Sequence, residues 1–254
     1  MKGISLITCL LLCCGFTVTD SVKERFNAPA GYYLSAVSSG SFGDWVGQLS
    51  LKPKGTPTRT YYGSVARTNA YTAEVVDMSV GDQDLQQCAD AVMRLRAEYF
   101  YQRKEYSDIA FNFTSGFRCD YLHYANGYRY NSDRWVLKAG KDYSYKNFLR
   151  YLNLVFSYAG TLSLEKELIA VNDHQVRAGD VFIHGGSPGH CFMVLSVCND
   201  SKGHQKFLLA QSFMPAQNIQ VLQDGGDPWF SLTSAANIPY GELIAAQYLR
   251  RFRN

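Results

Sequence analysis

Gly179-Asp-Val-Phe-Ile-His-Gly-Gly-Ser-Pro-Gly-His-Cys-Phe-Met-Val-Leu-Ser-Val-Cys198 is the stretch from which the architecture can be read. Two short apolar runs, 180–183 and 191–197, flank a Gly-rich break at 185–189. Runs of this length bounded by Gly and Pro read as strands. The second run is apolar at successive positions rather than alternate ones, so it is expected to be central and buried on both faces. A polar break, Asn199 to Gly203, leads to a third run, 206–210. Three runs with turn chemistry at both breaks predict an antiparallel meander.

Upstream the period changes. Leu85, Cys88, Ala89, Val92, Leu95, Ala97, Tyr99 and Phe100 recur close to every 3.6 residues. They predict a helix starting near 81–84, with Asp82 or Asp84 as its cap. Ser144 to Tyr158 predicts a second helix ended by Gly160, and 163–169 a short third. Residues 109–113 alternate as a strand does, and 60–63 and 73–78 have strand composition. Helices first and a sheet afterwards give an α+β fold, N-terminal helices packed on a C-terminal antiparallel sheet.

Composition agrees with a globular protein. Of 254 residues, 46% are hydrophobic and 19% charged, enough apolar surface to offset the entropy of ordering. One α+β domain over 29–254 is expected. The net charge of +3 is mild, and the densest basic patch, Arg250, Arg251 and Arg253, reads as a solvated end. No nucleic-acid partner is expected.

The first residues form a separate unit. Lys2 precedes about nine mostly apolar residues, a secretory pattern too short to span a ~30 Å hydrocarbon core. Leu11-Leu-Cys-Cys14 resembles the bacterial lipobox. That implies a signal peptide over 1–13, acylation of Cys14, a tether over 14–28, and attachment to a bacterial membrane through the lipid in the cell envelope. An ordinary signal peptide cut near Thr19 or Asp20 is the other reading. Cys88, Cys119, Cys191 and Cys198 are expected as free thiols, with Cys191 and Cys198 on opposite faces of one strand because their spacing is odd.

Three residues suggest chemistry. Cys88 lies near a helix N-terminus, where unpaired N–H groups lower a thiol pKa and can hold an oxyanion. It also fits the apolar stripe, so a plain core position is the competing reading. His190 opens a buried strand, placed either to face a cleft or to cap its own loop. A turn centred near Ser201 sets Ser212 opposite His190, and a half-step shift brings Gln211 there instead. Either could orient the imidazole. A turn centred near Ser187 sets His184 opposite His190, and with Asp180 the pair could serve a metal-dependent hydrolase. The many tyrosines, with Trp45, Trp135 and Trp229, could instead line a glycan or peptide groove in a non-catalytic binding protein. Tyr62 is a further candidate for the thiol's pocket. Of Arg94 and Arg96, at least one is expected as a solvated charge.

The order of these parts resembles the papain-like cell-wall amidases of the NlpC and CHAP types. Gly179-Asp-Val-Phe182 is similar to their Gly-Asp segment, and His190 with its apolar strand to their histidine strand. The resemblance implies a papain-like amidase architecture with Cys88 as nucleophile, His190 as base and Gln211 as orienting group. It also implies no cofactor, and cell-wall peptide or another envelope polymer as substrate. Their Asp-Cys-Ser-Gly motif is replaced here by Gln87-Cys-Ala-Asp90. Over its whole length the chain resembles more closely an uncharacterised bacterial domain family of predicted lipoproteins. Residues 84–98, 158–163, 185–190 and 209–217 carry that likeness, and it implies no activity.

Overall fold

The computed structural model describes residues 20–171 and 175–253. The expected signal peptide, Cys14 and residues 14–19 of the tether lie outside the described residues. The helices are α1 (Val22–Arg25), α2 (Phe42–Gly47), α3 (Cys88–Gln102), α4 (Tyr121–Ala125), α5 (Tyr145–Tyr158) and α6 (Thr161–Glu167). The strands are β1 (Tyr32–Leu34), β2 (Thr72–Val75), β3 (Ala110–Asn112), β4 (Arg118–Asp120), β5 (Tyr128–Tyr130), β6 (Trp135–Leu137), β7 (Ile169–Ala170), β8 (Val181–His184), β9 (His190–Asp200), β10 (Gln205–Gln211), β11 (Gln220–Leu222), β12 (Trp229–Phe230) and β13 (Leu249–Arg251).

This is a mixed α+β fold with one large antiparallel sheet ordered β2-β11-β10-β9-β8-β13-β7. β8, β9 and β10 form the expected meander. β1 extends β9 beyond β8, and β12 shares an edge of β10 with β11. Strands from both ends of the chain therefore enter the sheet, so it is not confined to the C-terminal half. β3–β4 and β5–β6 are small separate hairpins.

β9 is buried on both faces, as its composition requires. Cys191, Met193 and Leu195 face the cluster that contains α3, α5 and α6, while Phe192, Val194 and Val197 face a second cluster closed by Ile238, Leu243 and Ile244. Each such side chain contributes roughly 1.5–3 kcal/mol by leaving water. The register with β10 shifts between Leu208 and Leu209. An extra residue on β9 there inverts the alternation, so Cys198 returns to the helix side. Cys191 and Cys198 thus share a face, contrary to the odd-spacing expectation. Both are free, as are Cys88 and Cys119.

Other boundaries moved for identifiable reasons. α3 begins at Cys88, later than expected, because neither Asp82 nor Asp84 caps it. Asp90, the third helical residue, reaches back to accept from the Gln87 N–H at 3.0 Å. Residues 20–28, expected as tether, contribute α1, and Val22 and Phe26 are buried in the core. Residues 59–65 form a turn with isolated bridges. Among the described residues no helix is long and apolar enough to cross a membrane.

In the arginine patch at 250–253, Arg250 and Arg251 are structural, paired with Glu165 and Asp180, and Arg253 alone is a solvated end. Arg251 lies in β13, and its Nε and Nη2 donate to the buried Asp180 carboxylate at 2.6 and 2.8 Å. Gly179, just before Asp180, has φ +91°, and a Cβ there would meet the Phe42 ring at 2.9 Å. Both the left-handed backbone and the close approach of α2 require glycine. Arg251→Ala removes the bidentate partner of a buried carboxylate, leaving it the Arg177 N–H, and is expected to lower stability by about 3 kcal/mol in urea unfolding. Arg253→Ala, on an exposed residue, should stay within about 0.5 kcal/mol.

Candidate active site

Among the described residues one histidine, His190, is buried, and it sits against a helix start. Residues 84–87, which lead into α3, are clamped from three sides. Arg94, one helical turn and more downstream, donates from Nη1 to Gln86 Oε1 at 2.9 Å and pairs through Nε with Glu98 at 2.9 Å. Ser212 Oγ lies 2.8 Å from Gln86 O and 2.9 Å from Gln217 O. Asp84 Oδ1 accepts from Ala216 N–H at 2.6 Å and from Gln87 Nε2 at 3.2 Å. Arg94 is therefore a buried positioning residue. Arg96 is not a free surface charge either, because its guanidinium packs over the rings of Phe42, Phe100 and Phe252 at 4.4–4.9 Å.

Cys88 is the first residue of α3 and only 8% exposed. Cys191, His190 and the Ala89 N–H lie beside its thiol, and these hold its pKa well below the usual thiol value against the opposing effect of burial. Cys191, fully buried, is pushed the other way by desolvation. Of the two neighbouring sulfurs Cys88 is the one that ionises, since it alone has the imidazole and a helix N-terminus beside it. The Cys88 N–H itself carries no hydrogen bond among the described residues, a spare donor next to the sulfur.

His190 is 2% exposed. Its Nε2–H donates to Gln211 Oε1 at 2.7 Å. A carbonyl acceptor on Nε2 leaves Nδ1 as the lone-pair nitrogen of the neutral ring, free to take the thiol proton. The ring is stacked on Tyr240 (centroids 4.6 Å, planes 19° apart) and edged by Phe192 and Phe213 at 4.8 and 5.3 Å. The structure thus brings Cys88, His190 and Gln211 together. Ser212 does not reach the imidazole and instead holds the segment before Cys88. The reason is again the bulge: past it Ala210 pairs with Met193. Continuing that register puts Gln211 beside Phe192, diagonally across from His190 on the same face.

Cys88 opens into a cleft of about 290 Å³. The opposite wall is the 186–189 loop, with Gly160 and Thr161 of the α6 start and Met214 nearby. Gly185 N–H donates to Glu165 of α6 at 2.8 Å. A Cβ on Gly189 would collide with Thr161 Oγ1 and, at 2.6 Å, with Gly186 O. The Gly-rich break is therefore a wall fixed to α6. Asp90 also lines the cleft, buried and with its Oδ1 unpartnered, and desolvation pushes its carboxyl well above the usual range.

A family model described as a domain of unknown function (4846) matches residues 22–248. The chain belongs to this family. No curated protein and no solved structure matches it. The start of the domain of unknown function (4846) match at Val22 coincides with the burial of Val22 in the core.

The remaining sequence expectations divide. His184 does pair with His190 in register, as expected. Its ring is exposed against Tyr248 at 5.7 Å, however, and Asp180 is taken by Arg251. Among the described residues no group of three or more His, Cys, Asp or Glu is placed to hold a metal. Tyr62 is exposed and does not line the cleft. Trp45 and Trp135 pack against Tyr99 and Phe117, and Trp229 is buried. None of the three lines the Cys88 cleft. Tyr240, Asp90 and the Cys191 contact escaped sequence reading. Only Asp90 left a signal, an acid three residues after a cap position.

Iodoacetamide should label Cys88 in the folded protein with a rate midpoint well below pH ~8.5. Peptide mapping of Thr68 to Arg94 reads this directly. His190→Ala should move the midpoint upward. Cys198, pushed up to about 11 by burial, should stay unlabelled at neutral pH. A Cys88 midpoint that is ordinary and indifferent to His190 makes the residue a core thiol only.

Proposed function

We propose that this protein is an exported lipoprotein that hydrolyses amide or peptide bonds through Cys88, on a papain-like amidase architecture. The single observation that carries the reading is the run of contacts from the Cys88 thiol through His190 to Gln211, at a helix start and beside a cleft. A binding protein has no need of a polarised thiol with its own imidazole.

In the reaction, His190 Nδ1 takes the proton of Cys88 and the thiolate attacks the scissile carbonyl carbon. The resulting oxyanion is held by the spare Cys88 N–H. The imidazolium then returns its proton to the leaving amine, and an acyl-thioester remains on Cys88. Water, deprotonated by His190, attacks that ester and restores the thiol. Gln211 keeps Nε2–H engaged, so Nδ1 always faces the sulfur. No cofactor enters any step. Cell-wall peptide or a related envelope polymer is the proposed substrate class, consistent with acylation at Cys14 and retention at a bacterial membrane surface.

The test is incubation of the full chain with a digest of bacterial cell-wall peptides, followed by mass spectrometry and labelling of new amino groups. Cleavage should give one new amine and one new carboxylate per event. Cys88→Ala should abolish it, and His190→Ala should reduce it by about 10²–10⁴-fold, the usual worth of a general base. Gln211→Ala should lower turnover less than His190→Ala. Binding of the peptides without any cleavage, at a Cys88 that alkylates normally, would replace the hydrolase by a non-catalytic envelope binder.

A further inference from the structure

Cys191 has no part in the hydrolytic scheme, yet it is the residue against which the reactive sulfur rests. It is the second residue of β9, fully buried, facing α3. Cys88 is the first residue of α3, which packs against β9, and the two thiols are neighbours in one core cluster. The two sulfurs differ in access. Cys88 lines the cleft and Cys191 does not. A small solute entering the cleft meets the first sulfur, and only the first sulfur can meet the second.

We propose that Cys88 and Cys191 form a reversible oxidation site for hydroperoxides, with Cys88 as the attacked thiol and Cys191 as the resolving one. The Cys88 thiolate attacks one peroxide oxygen, the S–O bond forms and the O–O bond breaks. The departing oxygen takes the proton of the His190 imidazolium and leaves as water or an alcohol. Cys88 is then a sulfenic acid, oxidised by two electrons, and the peroxide is reduced by two. The Cys191 sulfur next attacks the Cys88 sulfur. The S–S bond forms, the S–O bond breaks, and the hydroxyl leaves as water with the Cys191 proton. The product is a Cys88–Cys191 disulfide inside the domain, with the nucleophile masked until a thiol reductant restores it. Resolution in this way stops the ladder before the irreversible sulfinic acid. Cys119 and Cys198 are buried elsewhere, and burial raises both of their pKa values. They are internal controls. The inference stands whether the protein hydrolyses amides or not, because it uses only the thiol pair and its access.

The full chain is treated with hydrogen peroxide at neutral pH, alkylated and digested with trypsin. The expected product is a cross-link between peptide Thr68–Arg94 and peptide Ala178–Lys202, removed by dithiothreitol. Because the second peptide also holds Cys198, Cys198→Ser should leave the cross-link intact and Cys191→Ala should abolish it. In Cys191→Ala the same peroxide dose should drive Cys88 to the two-oxygen sulfinic form, which dithiothreitol does not reverse. Wild-type Cys88 that reaches the sulfinic form as fast as in Cys191→Ala, with no cross-link, overturns the proposal. So does a Cys88 that alkylates readily but resists peroxide altogether. The amide-hydrolysis assay is run separately, so loss of one result leaves the other standing.

Discussion

A buried imidazole must satisfy both of its ring nitrogens, and in this protein that requirement organises the surroundings of the site. His190 is almost wholly out of water, where an unpaired polar nitrogen costs about 1–3 kcal/mol. Gln211 takes one nitrogen. The other is left to the one polarisable group nearby, the Cys88 thiol. Three aromatic rings close the remaining sides, so the ring cannot swing to a second partner. Cys191 and the second nitrogen of this confined imidazole together hold the Cys88 thiol below its usual pKa.

Meeting that requirement takes parts from distant segments. The loop before α3 is held by Asp84, Arg94 and Ser212, so the sulfur arrives at the mouth of β9 with little freedom. The bulge opposite Leu208 and Leu209 decides which polar residue of β10 falls on the imidazole's face. One residue more or less in β9 would turn Gln211 away and bring the serine round. Register in a sheet is a two-valued choice for every side chain, and here the choice selects the group that bonds the imidazole.

Much of this was legible in the sequence. The meander, the doubly buried β9, the helix bearing Cys88 and the polar pair at the end of β10 all follow from periodicity and turn residues. The choice between Gln211 and Ser212 was not, because a bulge leaves no mark in composition. Nor was the role of Arg251, since a strand three residues long at 249–251 looks like any charged end until Asp180 is seen beneath it. Tyr240 lies fifty residues from His190, in a segment with no periodic pattern, and its stacking is a tertiary fact alone. Where side chains meet through local geometry the sequence is informative; where they meet through long closure it is silent.

β13 adds a different kind of constraint. It lies between β8 and β7, inside the sheet and not at its rim, although it is the last strand of the sequence. A chain made from its N-terminus delivers β13 after both of the strands that flank it. Until residue 251 has left the ribosome, one edge of β8 has no partner and Asp180 lacks its bidentate contact with Arg251. The strand that carries the wall of the cleft is therefore completed only when β13 arrives. A chain arrested or clipped before that point would present an open sheet edge to its neighbours instead of a finished site.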